Sequence, residues 1–225
     1  MNQDFWIERW RENKIGFHRQ GVNPHLERFW TRIAAKAGER VLVPLCGKSE
    51  DMRWLADAGQ QVCGVELSEI AARAFSQEQK ITFTEQQSAD FLILRSPRIQ
   101  IYVGDFLKLS PSTAATFPLF YDRAALIALA PEIRPRYAAT LSSLLDAGAR
   151  GIFMTLEYDQ TQMEGPPFSV TGDEVRSLFP GLRIEQLLSQ DCLDEEPRFK
   201  ERGVQWMREV AYLAHADTLD SRTGA

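Results

Sequence analysis

Glu66 closes the run Gln61-Val62-Cys63-Gly64-Val65-Glu66, one strand and one helix after the turn Pro44-Leu45-Cys46-Gly47. Open α/β sheets bind ligands beyond the carboxyl ends of their strands, and an acid after the second strand can accept hydrogen bonds from the two hydroxyls of a ribose. The turn narrows the choice of ligand. Gly47-Lys48-Ser49 has the letters of a phosphate loop, but that motif needs a glycine five positions before Gly47, where Leu42 stands. A dinucleotide fingerprint fails as well, since Gly47 is the only glycine in the turn and a pyrophosphate requires closer backbone approach. A nucleoside without phosphates fits both restrictions, and S-adenosylmethionine, whose sulfonium carries a transferable methyl group, is the ligand they suggest.

Other reactive residues offer less. Cys46 adjoins the turn, yet no histidine is near in sequence, and a buried free thiol is usually inert packing. Three scattered cysteines make no disulfide framework and no C-x-x-C pair. His18, His25 and His215 lack metal-ligand spacing, so no metal is expected. Asp122-Arg123 closes the apolar run Phe117-Pro118-Leu119-Phe120-Tyr121 and could form a surface ion pair or serve a site at that strand end.

The elements that would position these residues follow from periodicity. Trp6, Ile7 and Trp10 predict an amphipathic helix over Phe5 to Arg11, followed by a loop with Phe17; a second helix is expected over His25 to Ala37. Strands over Glu39 to Leu45 and Gln60 to Glu66 enclose a helix opening at Ser49-Glu50-Asp51, and Ser68 is a plausible N-cap for the next helix. Residues 81 to 105 are β-rich around Pro97, as in a hairpin leading into a third main strand near Ile99 to Val103. The strand ending in Asp122-Arg123, a helix over Pro131 to Gly148 and a strand over Gly151 to Tyr158 continue the alternation, which predicts a mostly parallel sheet. A short helix from Gly172, and the segments Arg183 to Asp191 and Val204 to Ala216, suggest a closing antiparallel hairpin. One domain is expected over 1–225, with a cap over 1–37, a sheet domain over 38–215 and a disordered tail over 216–225.

Bulk properties exclude several classes. The 225 residues are 44% hydrophobic and 25% charged, and no apolar run reaches the roughly 18 residues of a membrane-spanning helix. A net charge of -5 disfavours a nucleic-acid partner, because such binding relies on clustered Lys and Arg. The mixed charges and tryptophans of the N-terminus are unlike a secretory signal, so a cytoplasmic location is expected.

The segments Trp6 to Trp10, Gly16 to Pro24, Val41 to Gly59, Gly64 to Glu69, Tyr121 to Leu129, Glu157 to Val170 and Glu209 to Ala216 closely resemble the thiopurine S-methyltransferase family, bacterial members in particular, along almost the whole chain. The resemblance implies an α/β class I methyltransferase fold, Rossmann-like, with a seven-stranded mostly parallel sheet, its last strand antiparallel, and an N-terminal helical cap. It implies S-adenosylmethionine as methyl donor, aromatic and heterocyclic thiols as acceptors, and a monomer. By motif, Trp10, Leu45, Glu66, Asp105, Phe106 and Arg123 should contact the cofactor, and Phe17 and Arg198 the acceptor. Arg123 is the leading catalytic candidate, and Asp122 a weaker one for accepting a proton. Small inorganic anions, or selenium and tellurium compounds tied to metalloid detoxification, form the alternative acceptor class. A nucleotide-sensing domain without turnover is the competing reading outside enzymes.

Overall fold

The computed structural model describes residues 3–216; the expected disordered tail lies, but for Ala216, outside them. The chain opens with α1 (Gln3–Arg11) and α2 (Pro24–Phe29), then lays down β1 (Arg40–Pro44), α3 (Asp51–Asp57), β2 (Gln61–Glu66) and α4 (Glu69–Glu78). The short β3 (Thr84–Gln87) and β4 (Leu92–Arg95) lead into β5 (Ile99–Val103), followed by α5 (Pro111–Ala114), β6 (Phe117–Arg123), α6 (Ala125–Ala128) and α7 (Arg134–Ser143). The chain then forms β7 (Leu145–Tyr158), α8 (Gly172–Leu178), β8 (Leu182–Asp191), α9 (Pro197–Glu201) and β9 (Met207–Ala216).

The sheet runs β3-β4-β5-β2-β1-β6-β7-β9-β8. Its five central strands, β5 to β7 in that order, are parallel to one another, while the pairs β3–β4, β4–β5, β7–β9 and β8–β9 are antiparallel. The sheet therefore has nine strands among the described residues, not the expected seven, and antiparallel pairs equal parallel ones in number. The difference arises at the β5 edge. The Thr84–Gln87 strand is exposed at every position, so it carries no alternation of apolar and polar residues to mark it.

Because helices cover both faces, the central strands are apolar on both sides. Leu42, Phe120 and Phe153 pack with α7 residues such as Tyr137 and Leu141 in one core cluster. Val41, Leu119 and Ile152 pack with Leu55 of α3, Phe75 of α4 and Leu26 of α2 in the other. The second expected helix is shorter than periodicity suggests: α2 tightens into a 3-10 turn at Trp30–Ile33 and stops where Ala34 turns left-handed, φ 51°. The expected Pro131 to Gly148 helix likewise ends at Ser143, and β7 begins at Leu145, because Leu145 pairs with Phe117 at the start of β6.

The two neighbours of β1 are β2 and β6, so the chain's lateral progress reverses there. A crevice opens at such a switch point beyond the carboxyl ends of the strands. Leu45, Glu66 and Arg123 all stand at that edge.

Candidate active site

A cavity of about 460 Å³ occupies the crevice, and its walls include Trp10, Phe17, Leu45, Glu66, Asp105, Phe106, Arg123 and Arg198. Every sequence-predicted site residue but one thus borders a single space. Asp122 is the exception. Alternation along β6 turns it to the opposite sheet face, where it is fully buried and accepts a hydrogen bond from the Tyr137 hydroxyl at 2.5 Å. Burial pushes its carboxyl up to about 7, against bonds donated by Tyr137, Leu126 and Ala125. It is not placed to meet an acceptor in the cavity.

The turn after β1 answers to Glu66. Cys46 N–H donates to Val65 O at 3.0 Å, and Gly47 N–H donates to Glu66 Oε2 at 2.8 Å, while Ser68 N–H holds Oε1 at 2.8 Å. Leu45 adopts φ 49° and Gly47 φ 53°. For a leucine that left-handed conformation costs about 1–2 kcal/mol, a local strain of the kind that collects at binding sites. Gly47 has a second reason to be glycine: a Cβ there would lie 3.3 Å from the Trp10 ring.

Burial raises the Glu66 carboxyl to about 6, opposed by the bonds from Ser68, Gly47 and Leu67. Its native proton is therefore held to a higher pH than in the unfolded chain, so whatever stability Glu66 contributes is lost as pH rises from 4.5 through 6. Ligand binding should run the other way. A carboxylate is the stronger acceptor for hydroxyl donors, so affinity for S-adenosylhomocysteine should climb as pH rises through about 6 and level off above about 7. Calorimetry across that range reads it, and a flat profile would separate Glu66 ionisation from binding.

α1 lies over the crevice as a cover. Trp6 and Trp10 each meet the Phe17 ring edge-on, at centroid distances of 5.3 and 5.5 Å. Gln3 Nε2 donates to Asp105 Oδ2 at 2.7 Å, Arg198 Nη1 donates to Gly16 O, and Arg19 pairs with Glu196. Asp105 is thus engaged twice, since its Oδ1 also accepts from Leu107 N–H at 2.9 Å. Phe106 is buried, its ring 5.0 Å from that of Tyr137.

Two features suit S-adenosylmethionine in particular. The Glu66 oxygens accept from Gly47 N–H and Ser68 N–H, with Leu67 N–H as a third donor, and a carboxylate with about four acceptor sites still has room for a donor such as a ribose hydroxyl. Arg9 also borders the cavity, and its buried Nε has no acceptor among the described residues, so an anionic ligand group could satisfy it. No group of three or more acids, histidines or cysteines among the described residues could hold a metal ion.

Comparison with known proteins decides the family. Residues 1–217 match the family model described as Thiopurine S-methyltransferase (TPMT). The chain belongs to the thiopurine S-methyltransferase family. A thiopurine S-methyltransferase of Pseudomonas fluorescens is 46% identical over 213 residues, covering 94% of this chain and 98% of that protein. One from Pseudomonas aeruginosa is 46% identical over 214 residues, covering 95% and 98%. Among solved structures, the Burkholderia thailandensis 1,6-didemethyltoxoflavin-N1-methyltransferase with bound 1,6-didemethyltoxoflavin and S-adenosylhomocysteine superposes with a TM-score of 0.65 at 14% identity, over 96% of this chain and 87% of that one. That identity speaks to the fold, which is the class I methyltransferase fold. As a member of the thiopurine S-methyltransferase family, the protein is an S-adenosylmethionine-dependent methyltransferase.

Sequence reasoning missed members of this methyltransferase site, Arg9 and Asp51 among them. Asp51 reads in the sequence as an ordinary acid at a helix start. In the fold it is fully buried against the cavity, 2.8 Å from Arg123 Nη1. Three of its partners come from 28, 70 and 72 residues away, so no local pattern marks it.

Proposed function

We propose that this protein transfers the methyl group of S-adenosylmethionine to the sulfur of aromatic and heterocyclic thiols, thiopurines among them. The observation that carries this reading is one cavity in which the buried Glu66 carboxylate, the Trp6–Phe17–Trp10 aromatic cluster and two arginines, Arg123 and Arg198, all meet. Glu66 accepts from the ribose hydroxyls, Asp105 and Phe106 flank the adenine, and Trp10 and Leu45 close on the remainder. When bound, S-adenosylmethionine supplies an electrophilic methyl group on a sulfonium sulfur.

The residues of the chain then have a limited task. Displacement at a methyl carbon is in-line, and holding acceptor and donor in register can contribute up to roughly 7–11 kcal/mol in the best cases. Phe17 offers an aromatic face to a ring acceptor. Arg123 and Arg198 stabilise a thiolate over a thiol, because a nearby positive charge favours the ionised form. With the acceptor already ionised, no protein base is needed, and Asp122 has no part in this reading. The aromatic cover excludes water and suits a ring better than a small inorganic anion.

Cysteine plays no covalent role here. Burial, with the Glu66 charge second, pushes the Cys46 thiol well above its ordinary value, which suppresses the nucleophilic thiolate. Its sulfur packs where Gly64 has no side chain: a Cβ on Gly64 would lie 2.8 Å from Cys46 Sγ. Cys46→Ser should therefore keep methyl transfer while losing some thermal stability, about 1 kcal/mol, because a buried hydroxyl replaces a sulfur whose acceptor, Gly47 O, stands 3.7 Å away. A folded, cofactor-binding Cys46→Ser protein without turnover would point to a covalent intermediate instead.

Mass-spectrometric acceptor screening tests the function. Aromatic and heterocyclic thiols should gain one methyl group in the presence of S-adenosylmethionine. Methylation confined to selenium or tellurium oxyanions, or no methylation of any acceptor, would overturn the thiol reading.

A further inference from the structure

Arg123 reaches the cavity from the end of β6, where the one acid among the described residues that holds it is Asp51, with the Ser49 hydroxyl as a longer second contact. Asp51, at the first position of α3, has no exposed surface. A carboxylate so buried persists as an ion only with good partners. Asp51 has three. Oδ2 accepts from Arg123 Nη1 at 2.8 Å and from the Tyr121 hydroxyl at 3.1 Å, and Oδ1 accepts from Asn23 N–H at 2.8 Å. Burial lowers and Asp51 raises the Arg123 pKa, and the balance lies above the ordinary guanidinium value.

The third partner links this ion pair to the cover. Asn23 ends the stretch that leaves the Phe17 loop, and its side chain caps α2 by accepting from His25 N–H at 2.8 Å. Just before it, Gly21 N–H donates to Glu50 Oε1 at 2.8 Å. Two adjacent acids thus tether the trailing end of the cap, and one of them also grips Arg123. Stapling α3 to the Asn23 backbone alone would require only a neutral acceptor; a negative charge is needed for the guanidinium. Asp51 and Ser49 both engage Nη1, which leaves Nε and Nη2 without an acceptor among the described residues on a side chain that borders the cavity.

We propose that Asp51 is a positioning residue that holds the Arg123 guanidinium toward the acceptor and fastens it to the trailing end of the cap through the Asn23 backbone. The inference rests on the acceptor role given to Arg123 above. Asp51 itself touches neither cofactor nor acceptor in this role; it fixes the direction from which Arg123 presents its free nitrogens.

Asp51→Asn is the test, since it removes the charge and keeps the shape and an acceptor for Asn23. Guanidinium signals in nitrogen NMR of the ligand-free protein, assigned to Arg123 by their loss in Arg123→Lys, should be resolved and restrained in the wild type. They should average in Asp51→Asn and survive in Tyr121→Phe. In the dead-end complex with S-adenosylhomocysteine, an aromatic thiol whose absorbance reports its ionisation should bind Asp51→Asn about tenfold more weakly at neutral pH, with its ionisation shifted up by about one unit. Affinity for S-adenosylhomocysteine should fall by clearly less than that for the thiol, because Glu66, Trp10 and Leu45 are untouched although Arg123 borders the cofactor as well. The loss in Asp51→Asn should be contained in that of Arg123→Ala, so the double variant should bind the thiol no worse than Arg123→Ala alone. Unchanged guanidinium signals in Asp51→Asn, or losses that add in full, would overturn the proposal. If Asp51→Asn does not fold, freely averaging Arg123 signals in the wild type would overturn it and restrained ones would support it. If those signals behave as expected but no thiol binds the wild type, the positioning role stands and the thiol reading falls.

Discussion

Glu66→Ala should weaken S-adenosylhomocysteine binding by roughly 2–4 kcal/mol, a factor of about thirty to a thousand, with the fold retained. The size follows from what the carboxylate would supply. Two charge-assisted bonds to ribose hydroxyls would be lost together, in a cavity where water competes poorly. The same oxygens hold Gly47 N–H and Ser68 N–H, so the substitution also frees the turn that carries the strained Leu45. Glu66→Gln separates these contributions. One amide oxygen can still accept a backbone bond, so affinity should fall by less than in the alanine variant, and the pH dependence centred near 6 should vanish. Calorimetry with both variants is the measurement. Unchanged affinity in Glu66→Ala would remove this residue from the cofactor site.

Glu66 could be found in the sequence because its signal is local and topological: a buried strand ends on an acid directly after a strand–turn–helix unit. Elimination of the phosphate motifs made the Gly47 turn legible as a site for a nucleoside without phosphates, whereas Leu45 came from the family resemblance alone. Arg123 was legible as a strand end, but its partner was not. The sequence neighbour Asp122 offers itself as the natural pair, yet alternation along β6 sends the two side chains to opposite faces. Arg123 instead meets Asp51, which helix chemistry explains well enough in one dimension to hide its second use.

The fold shows the same division between local and distant information. Ser68 caps α4 as its type and place suggest, accepting from Ala71 N–H. The Leu145-Asp146-Ala147-Gly148 stretch reads as a helix end, but Leu145 is drawn into β7 by pairing with Phe117, which overrides propensity. β3 is held by its antiparallel ladder with β4, from Thr84 opposite Arg95 to Gln87 opposite Leu92, and by the Arg73–Glu85 ion pair to α4. None of these depends on an apolar pattern. Polar edge strands of this kind are set by their neighbours.

Removing residues 1–20 should leave the sheet domain folded and sharply reduce both cofactor affinity and turnover. The packing supports the first half. Neither face of the sheet draws a residue of that segment into its core clusters; the earliest members are Leu26, fully buried, and the partly buried Val22 beside it. The segment instead holds to itself and to the crevice, through Trp6, Trp10 and Phe17, through Trp10 over Gly47, and through Gln3 on Asp105. Its exit is pinned by Glu50 and Asp51, beyond the cut, so α2 and its buried Leu26 and Phe29 remain in place. The second half follows from the ligand's view. Without the cover, Glu66 and Arg123 face bulk water, where charge-assisted bonds weaken and acceptor alignment is lost. Phe17→Ala should be milder and selective, weakening aromatic acceptors by about 1–3 kcal/mol while sparing cofactor affinity. Thermal unfolding without ligand and cofactor calorimetry on the truncated protein give the decisive pair of readings. Loss of the cooperative transition would make the segment part of the core; a folded protein with full activity would deny it any closing role.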